Sequence, residues 1–158
     1  MKIGVISDTH LGGVTKELMD IFDRHLRDKD VVIHAGDVVS PEVIQFLSQK
    51  TFHGVHGNMD PPEVKERLPD RVTVELAGFS IGIIHGWGAA TGLEERILPM
   101  FQGVDMLIYG HTHRPLNEVH DGVRLFNPGT ATGYSASGDH SMGILEIGDT
   151  IRADIIRL

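Results

Sequence analysis

The 158-residue chain contains no cysteine. Disulfides and thiolate metal sites are therefore excluded, and any transition-metal site must be built from nitrogen and oxygen donors. No apolar run is long enough to cross a bilayer. Met1-Lys2-Ile3-Gly4-Val5-Ile6 enters a strand pattern directly, without the longer apolar core and small-residue cleavage site of a secretory leader, so a cytoplasmic protein is expected. Positive charge is also scarce, with 14 Lys+Arg against 22 Asp+Glu and a net charge of −8. That balance argues against nucleic-acid backbones and anionic membranes as general partners, and any phosphate-bearing ligand would need a local positive centre. At this length and 41% hydrophobic content the chain suffices for one well-buried core, and a single domain over residues 1–158 is expected.

The apolar pattern alternates between strand and helix signals. Ile3–Ser7 and Val31–Ile33 are short β-branched runs, the mark of strands buried on both faces, and a weaker strand lies around Phe52–Val55. Between them, Thr15 caps a stripe of Leu18, Ile21, Phe22 and Leu26, and Ser40-Pro41 opens a helix with Val43, Ile44 and Leu47 on one face. Strand, helix, strand, helix implies parallel pairing. Pro61-Pro62 is expected to stop any regular element. Val72–Leu76 and Ile81–Ile84 follow, and Thr91 with Glu94 predicts a capping box for a helix to about Met100. Asp121-Gly122 and Gly148-Asp149 predict hairpins that make the last third antiparallel, with a mobile loop over residues 127–139.

Polar residues gather where the strands end. Tyr109-Gly110-His111-Thr112-His113 follows the run Met106-Leu107-Ile108, placing two imidazoles one residue apart at a strand terminus. Asp8 and His10, Asp37, Asn58, and His85 stand at four other such termini. In α/β proteins ligands bind beyond the strand ends, so five loops can aim these seven groups at one centre. Seven donors exceed what one tetrahedral zinc needs, and a sulfur-free set suits Mn, Fe, Ni or Zn. Two ions fit the count. Asp60 is expected to bond backbone amides, and His34 to be held by backbone at a strand-to-loop corner.

Asp8-x-His10, Gly36-Asp37, Gly57-Asn58-x-Asp60, His85-Gly86 and Gly110-His111-x-His113, in that order, resemble the motifs of calcineurin-like metallophosphoesterases. The small size and Asn127-Pro128-Gly129-Thr130 are most similar to the compact YfcE-type phosphodiesterase branch. The resemblance implies a four-layer αββα sandwich of two mixed β-sheets flanked by helices. It also implies Asp8, His10, Asp37 and His113 on one divalent ion and Asp37, Asn58, His85 and His111 on the other, with Asp37 bridging. Mn²⁺ is the favoured ion, with Ni²⁺, Fe²⁺ and Zn²⁺ as alternatives. The implied reaction is hydrolysis of a small phosphodiester by a metal-bridging hydroxide, with ions about 3.5–4 Å apart. A phosphomonoesterase is the neighbouring alternative, and a non-catalytic metal-binding scaffold resembling the retromer subunit of this fold is the other. No membrane and no long nucleic acid is expected as a partner, and homo-oligomerisation is left open.

Two positions depart from the pattern. Met59 stands where many members carry a proton-donating histidine after the asparagine, and a thioether donates no proton. Trp87 replaces the second histidine of a His-Gly-His motif; it either packs on the core edge or stacks on an aromatic leaving group. His56, two residues before Asn58, is the substitute acid to test.

Overall fold

β1 (Lys2–Ile6), β2 (Val31–His34) and β3 (Thr51–Gly54) lie parallel and adjacent in the computed structural model, which describes residues 1–158. β9 (Ser141–Ile147) adds antiparallel to β1, and β10 (Ile151–Arg157) pairs with β9, giving one five-stranded sheet in the order β10-β9-β1-β2-β3. The second sheet runs β4 (Arg71–Leu76), β5 (Phe79–Ile84), β6 (Met106–Ile108), β8 (Val123–Asn127), β7 (Leu116–His120). Its centre is parallel, since β6 pairs in parallel with both β5 and β8. The last third is therefore antiparallel in its two hairpins and where β9 meets β1, but not where β8 meets β6.

Side-chain alternation decides the layers. Ile3, Val5, Val31, Ile33, Ile81, Ile83, Met106 and Ile108 point between the sheets and form one buried cluster. Val32 and Ile6 point the other way, onto α1 (Lys16–Ile21, continued by a wider turn over Phe22–Leu26) and α2 (Pro41–Leu47). Ile84, Leu107 and Leu125 cover α4 (Leu93–Ile97) on the far side. The result is the αββα sandwich of two mixed sheets flanked by few helices. Gly4 belongs to this packing, because a Cβ there would lie 2.2 Å from Leu26 Cδ2.

Three local expectations are corrected. Pro61-Pro62 starts an element instead of stopping one: α3 (Pro62–Lys65) has Pro62 in its first turn, where a missing N–H costs nothing. α4 has no capping box, because its N-cap is Gly92 at φ 67° and Glu94 accepts from the Tyr109 hydroxyl at 2.5 Å. The segment after β8 is not free at its start. Asn127, Thr130 and Ala131 are buried, Thr130 Oγ1 donates to Asp8 O at 2.9 Å, and Gly129 N–H donates to Asn127 Oδ1 in a side-chain-closed turn.

Candidate metal centre

The parallel strands of both sheets end on the same side, and the seven strand-end residues converge there. Asp8, Asp37 and His85 are buried, His10, His111 and His113 half-buried, and Asn58 exposed. Asp8, His10, Asp37, His111 and His113 all have φ between 50° and 70°. The left-handed region costs a residue with a Cβ roughly 1–2 kcal/mol, although Asp and His tolerate it better than most. Strain concentrated on five chemically active residues marks a site whose surroundings hold it in place. Asp8 N–H donates to Gly36 O and His10 N–H to Asp37 O, both at 3.0 Å. The Asp60 carboxylate accepts from the N–H groups of Gly57 at 2.7 Å, Val39 at 2.6 Å and Asp37 at 3.0 Å.

At the centre, Asp8 Oδ1 lies 3.1 Å from His113 Nε2 and 3.8 Å from both His10 Nε2 and His85 Nε2. Asp37 Oδ2 lies 3.2 Å from His85 Nε2 and 3.6 Å from His10 Nε2. Other contacts fix where the ring protons sit. His85 Nδ1 donates to Ala35 O at 2.7 Å and His113 Nδ1 to Tyr134 O at 2.6 Å. A neutral imidazole has one N–H, so each Nε2 presents a lone pair to the carboxylates. His111 repeats the pattern, with Nε2 donating to Gly88 O at 2.7 Å and Nδ1 facing Asn58 Oδ1 at 3.0 Å. Asp8 Oδ1 and His85 Nε2 are buried with no hydrogen-bond partner.

Lone pairs aimed at lone pairs repel unless a cation stands between them, and an orphaned buried polar atom costs about 1–3 kcal/mol. The donor chemistry thus fits divalent ions. Two groups of donors lie close enough to share one, Asp8 with His10 and His113, and Asp8 with Asp37 and His85. Asp8 as well as Asp37 thus stands between the imidazoles. Burial opposes ionisation of Asp8, yet the adjacent His10, His113 and His85 imidazoles hold its carboxyl well below the usual range. Burial likewise opposes the charge on Asp37, and His85 brings that carboxyl down. His85 is raised by Asp37 and Asp8 against the effect of its burial, and His113 is raised chiefly by Asp8. Both imidazoles therefore sit in a negative field.

The remaining sequence candidates divide by contact. His34 is structural: its Nδ1 accepts from Gly36 N–H at 3.1 Å, its Nε2 meets Thr9 Oγ1 at 3.1 Å, and burial brings it down to about 3. His56 stands beside the centre in the wall of a cavity shared with Asn58, His85 and Trp87, its Nδ1 buried without a partner. Met59 is 62% exposed, and its N–H donates to Asp37 Oδ1 at 2.8 Å. Trp87 is 45% exposed and lines that same cavity. Sequence reasoning missed Ser7, whose hydroxyl donates to Asp8 Oδ2 at 2.6 Å, and the carbonyls of Ala35, Gly88 and Tyr134 that orient the rings. Every residue has a carbonyl, so composition holds no signal for those three.

A model of the calcineurin-like phosphoesterase superfamily domain matches residues 1–150. A probable metallophosphoesterase of Methanothermobacter thermautotrophicus is 38% identical over 162 residues, 99% of this chain and 92% of that protein. A phosphodiesterase of Methanocaldococcus jannaschii is 32% identical over 161 residues, 92% of this chain and 93% of its own. Among solved structures, vacuolar protein sorting 29 from Cryptosporidium parvum superposes with a TM-score of 0.75 at 26% identity, covering 99% of this chain and 97% of that one. On the family match and on relatives of this identity, the chain belongs to the calcineurin-like phosphoesterase superfamily.

Proposed function

We propose that this metallophosphoesterase hydrolyses small phosphodiesters at a centre of two divalent ions, with Mn²⁺ favoured, held by Asp8, His10, Asp37, Asn58, His85, His111 and His113. The observation that carries the reading is the pair of orphaned buried atoms, Asp8 Oδ1 and His85 Nε2, 3.8 Å apart at the middle of the cluster. Bound ions would neutralise phosphoryl charge and activate a water for in-line attack. The chain's own residues supply the rest. Asp8 and Asp37 stay ionised at neutral pH, the carbonyls of Ala35, Gly88 and Tyr134 fix which nitrogen of each ring points inward, and Asp60 locks the Asp37 and Gly57 backbones. Two dications against two carboxylates leave a locally positive centre in a protein of net charge −8, which suits a small anion over a long polynucleotide. The relative named a phosphodiesterase supports the diester over the monoester.

The scaffold reading draws on the likeness to vacuolar protein sorting 29. A pure scaffold has no need of orphaned buried donors and acceptors, each of which costs about 1–3 kcal/mol. The deciding experiment measures metal content per chain together with turnover of bis(p-nitrophenyl) phosphate, for the parent and Asp37→Asn. About two ions and measurable turnover are expected in the parent. The variant should lose most of both, since a neutral amide is a poorer ligand. A metal-replete Asp37→Asn protein with parental turnover would sink the assignment.

A further inference from the structure

The chain has one tryptophan, two tyrosines and six phenylalanines. Only Trp87, at 45%, and Tyr134, at 77%, are exposed. Scattered exposed apolar residues are ordinary, but these two are not scattered. Each lines a cavity of about 240 Å³ that also contains members of the metal-donor cluster. Trp87 stands with Asn58 and His85, over Ile84 and Met100. Tyr134 stands with His111 and His113. Asn58 in the wall of the first meets His111 in the wall of the second, Oδ1 to Nδ1 at 3.0 Å.

The same chain segments tie both aromatics to the centre. His111 Nε2 donates to Gly88 O, next to Trp87, and His113 Nδ1 donates to Tyr134 O itself. One aromatic residue thus belongs to each of the two cavities that share members of the donor cluster. A cavity of about 150 Å³ is known to admit a benzene ring, so each space here holds one ring system with room for substituents. Offset or edge-on packing against Trp or Tyr favours flat, π-bearing groups over alkyl chains.

From this we infer that the two cavities seat the two ester substituents of one substrate, a phosphodiester carrying a planar ring system on each side of its phosphate. The inference rests on the phosphoesterase reading and specifies its substrate class.

Trp87 is the sole tryptophan, so its fluorescence reports ligand arrival on its own side of the centre without turnover. The probe is diphenylphosphinate, an anion with two rings and no ester bond to break, compared with dimethylphosphinate on the manganese-loaded protein. Diphenylphosphinate should shift Trp87 emission and bind at least fivefold more tightly than dimethylphosphinate. Tyr134→Ala should weaken that binding roughly three- to tenfold, read from the opposite cavity, and Tyr134→Phe should restore it. In parallel, KM for bis(p-nitrophenyl) phosphate should rise three- to tenfold in Trp87→Ala and in Tyr134→Ala, and not in Val119→Ala, an exposed apolar control on β7. Equal affinity for the two phosphinates, or unchanged diphenylphosphinate binding in Tyr134→Ala, in a protein that still hydrolyses the diester, overturns the inference and leaves the phosphoesterase reading standing. A metal-loaded parent that hydrolyses no diester fails at the earlier reading instead.

Discussion

The Asp60 carboxylate accepts the backbone N–H of Asp37 at 3.0 Å while one of its oxygens also takes the Gly57 N–H, so a single side chain spans the loops after β2 and β3. Asp37 at φ 55° and Val39 at φ 72° are both strained, and Val39 is β-branched, the least suited kind of residue for that region. Asp60→Ala would leave three N–H groups without their acceptor, and an unsatisfied buried donor costs about 1–3 kcal/mol. A stability loss of about 3 kcal/mol or more is expected in urea unfolding, with a smaller loss for Asp60→Asn, which keeps one carbonyl oxygen. An Asp60→Ala protein within about 0.5 kcal/mol of the parent would show that the loops hold without it.

Gly110 is required for space. A Cβ there would stand 2.1 Å from Ser7 Oγ, 2.7 Å from Asp8 Oδ2 and 2.9 Å from Ala35 O. Gly110→Ala should therefore destabilise by about 1–3 kcal/mol, as overpacking does, and weaken metal retention by pushing Asp8 aside. Removing the nearest obstacle with Ser7→Ala in the same chain should recover part of the loss. Additive effects in that double-mutant cycle would mean the two residues do not collide.

These two sites show what was legible in the sequence and what was not. Strands such as Val31–His34 and stripes such as Leu18, Phe22 and Leu26 follow from periodicity, and the donors were visible because carboxylates and imidazoles at strand ends are chemically conspicuous. Pro62 misled because proline both stops helices and starts them, and only the following backbone decides which. Thr91 lost the cap to Gly92 because Glu94 is drawn to the Tyr109 hydroxyl, a partner fifteen residues away. Tyr134 carried no signal. Its carbonyl orients a ring twenty-one residues earlier in the chain, and its neighbours have the composition of a loose loop.

His34 gives a pH dependence whose sign can be worked out. Burial lowers it from its ordinary 6.5 to about 3. Between those values the unfolded chain binds a proton that the folded chain refuses, so stability is complete above about pH 6.5 and falls on acidification toward pH 3. His85 and His113, raised by the carboxylates, act in the opposite sense: what they contribute is present below 6.5 and lost as pH rises through their folded values. In chelator-treated protein, His34→Gln should flatten the stability profile between pH 6.5 and 4 relative to the parent. Parallel profiles would mean that His34 is protonated in the fold.

The final expectation concerns the leaving group. Met59 cannot donate a proton, and Trp87 stands at the other position where a donor was expected. An alkoxide expelled without an acid carries its full charge away, so the rate should fall steeply as the leaving oxygen becomes more basic. Substituted phenyl methyl phosphodiesters test this, because every member carries one aryl and one methyl ester while leaving-group acidity varies. Positioned general acids contribute roughly 10²- to 10⁴-fold, so Met59→His should accelerate the most basic members of the series and leave the most acidic nearly unchanged. A flat dependence in the parent would place a donor already at the site, and His56 is the side chain beside it. His56→Ala then decides, because a selective loss on basic leaving groups follows only if that imidazole supplies the proton.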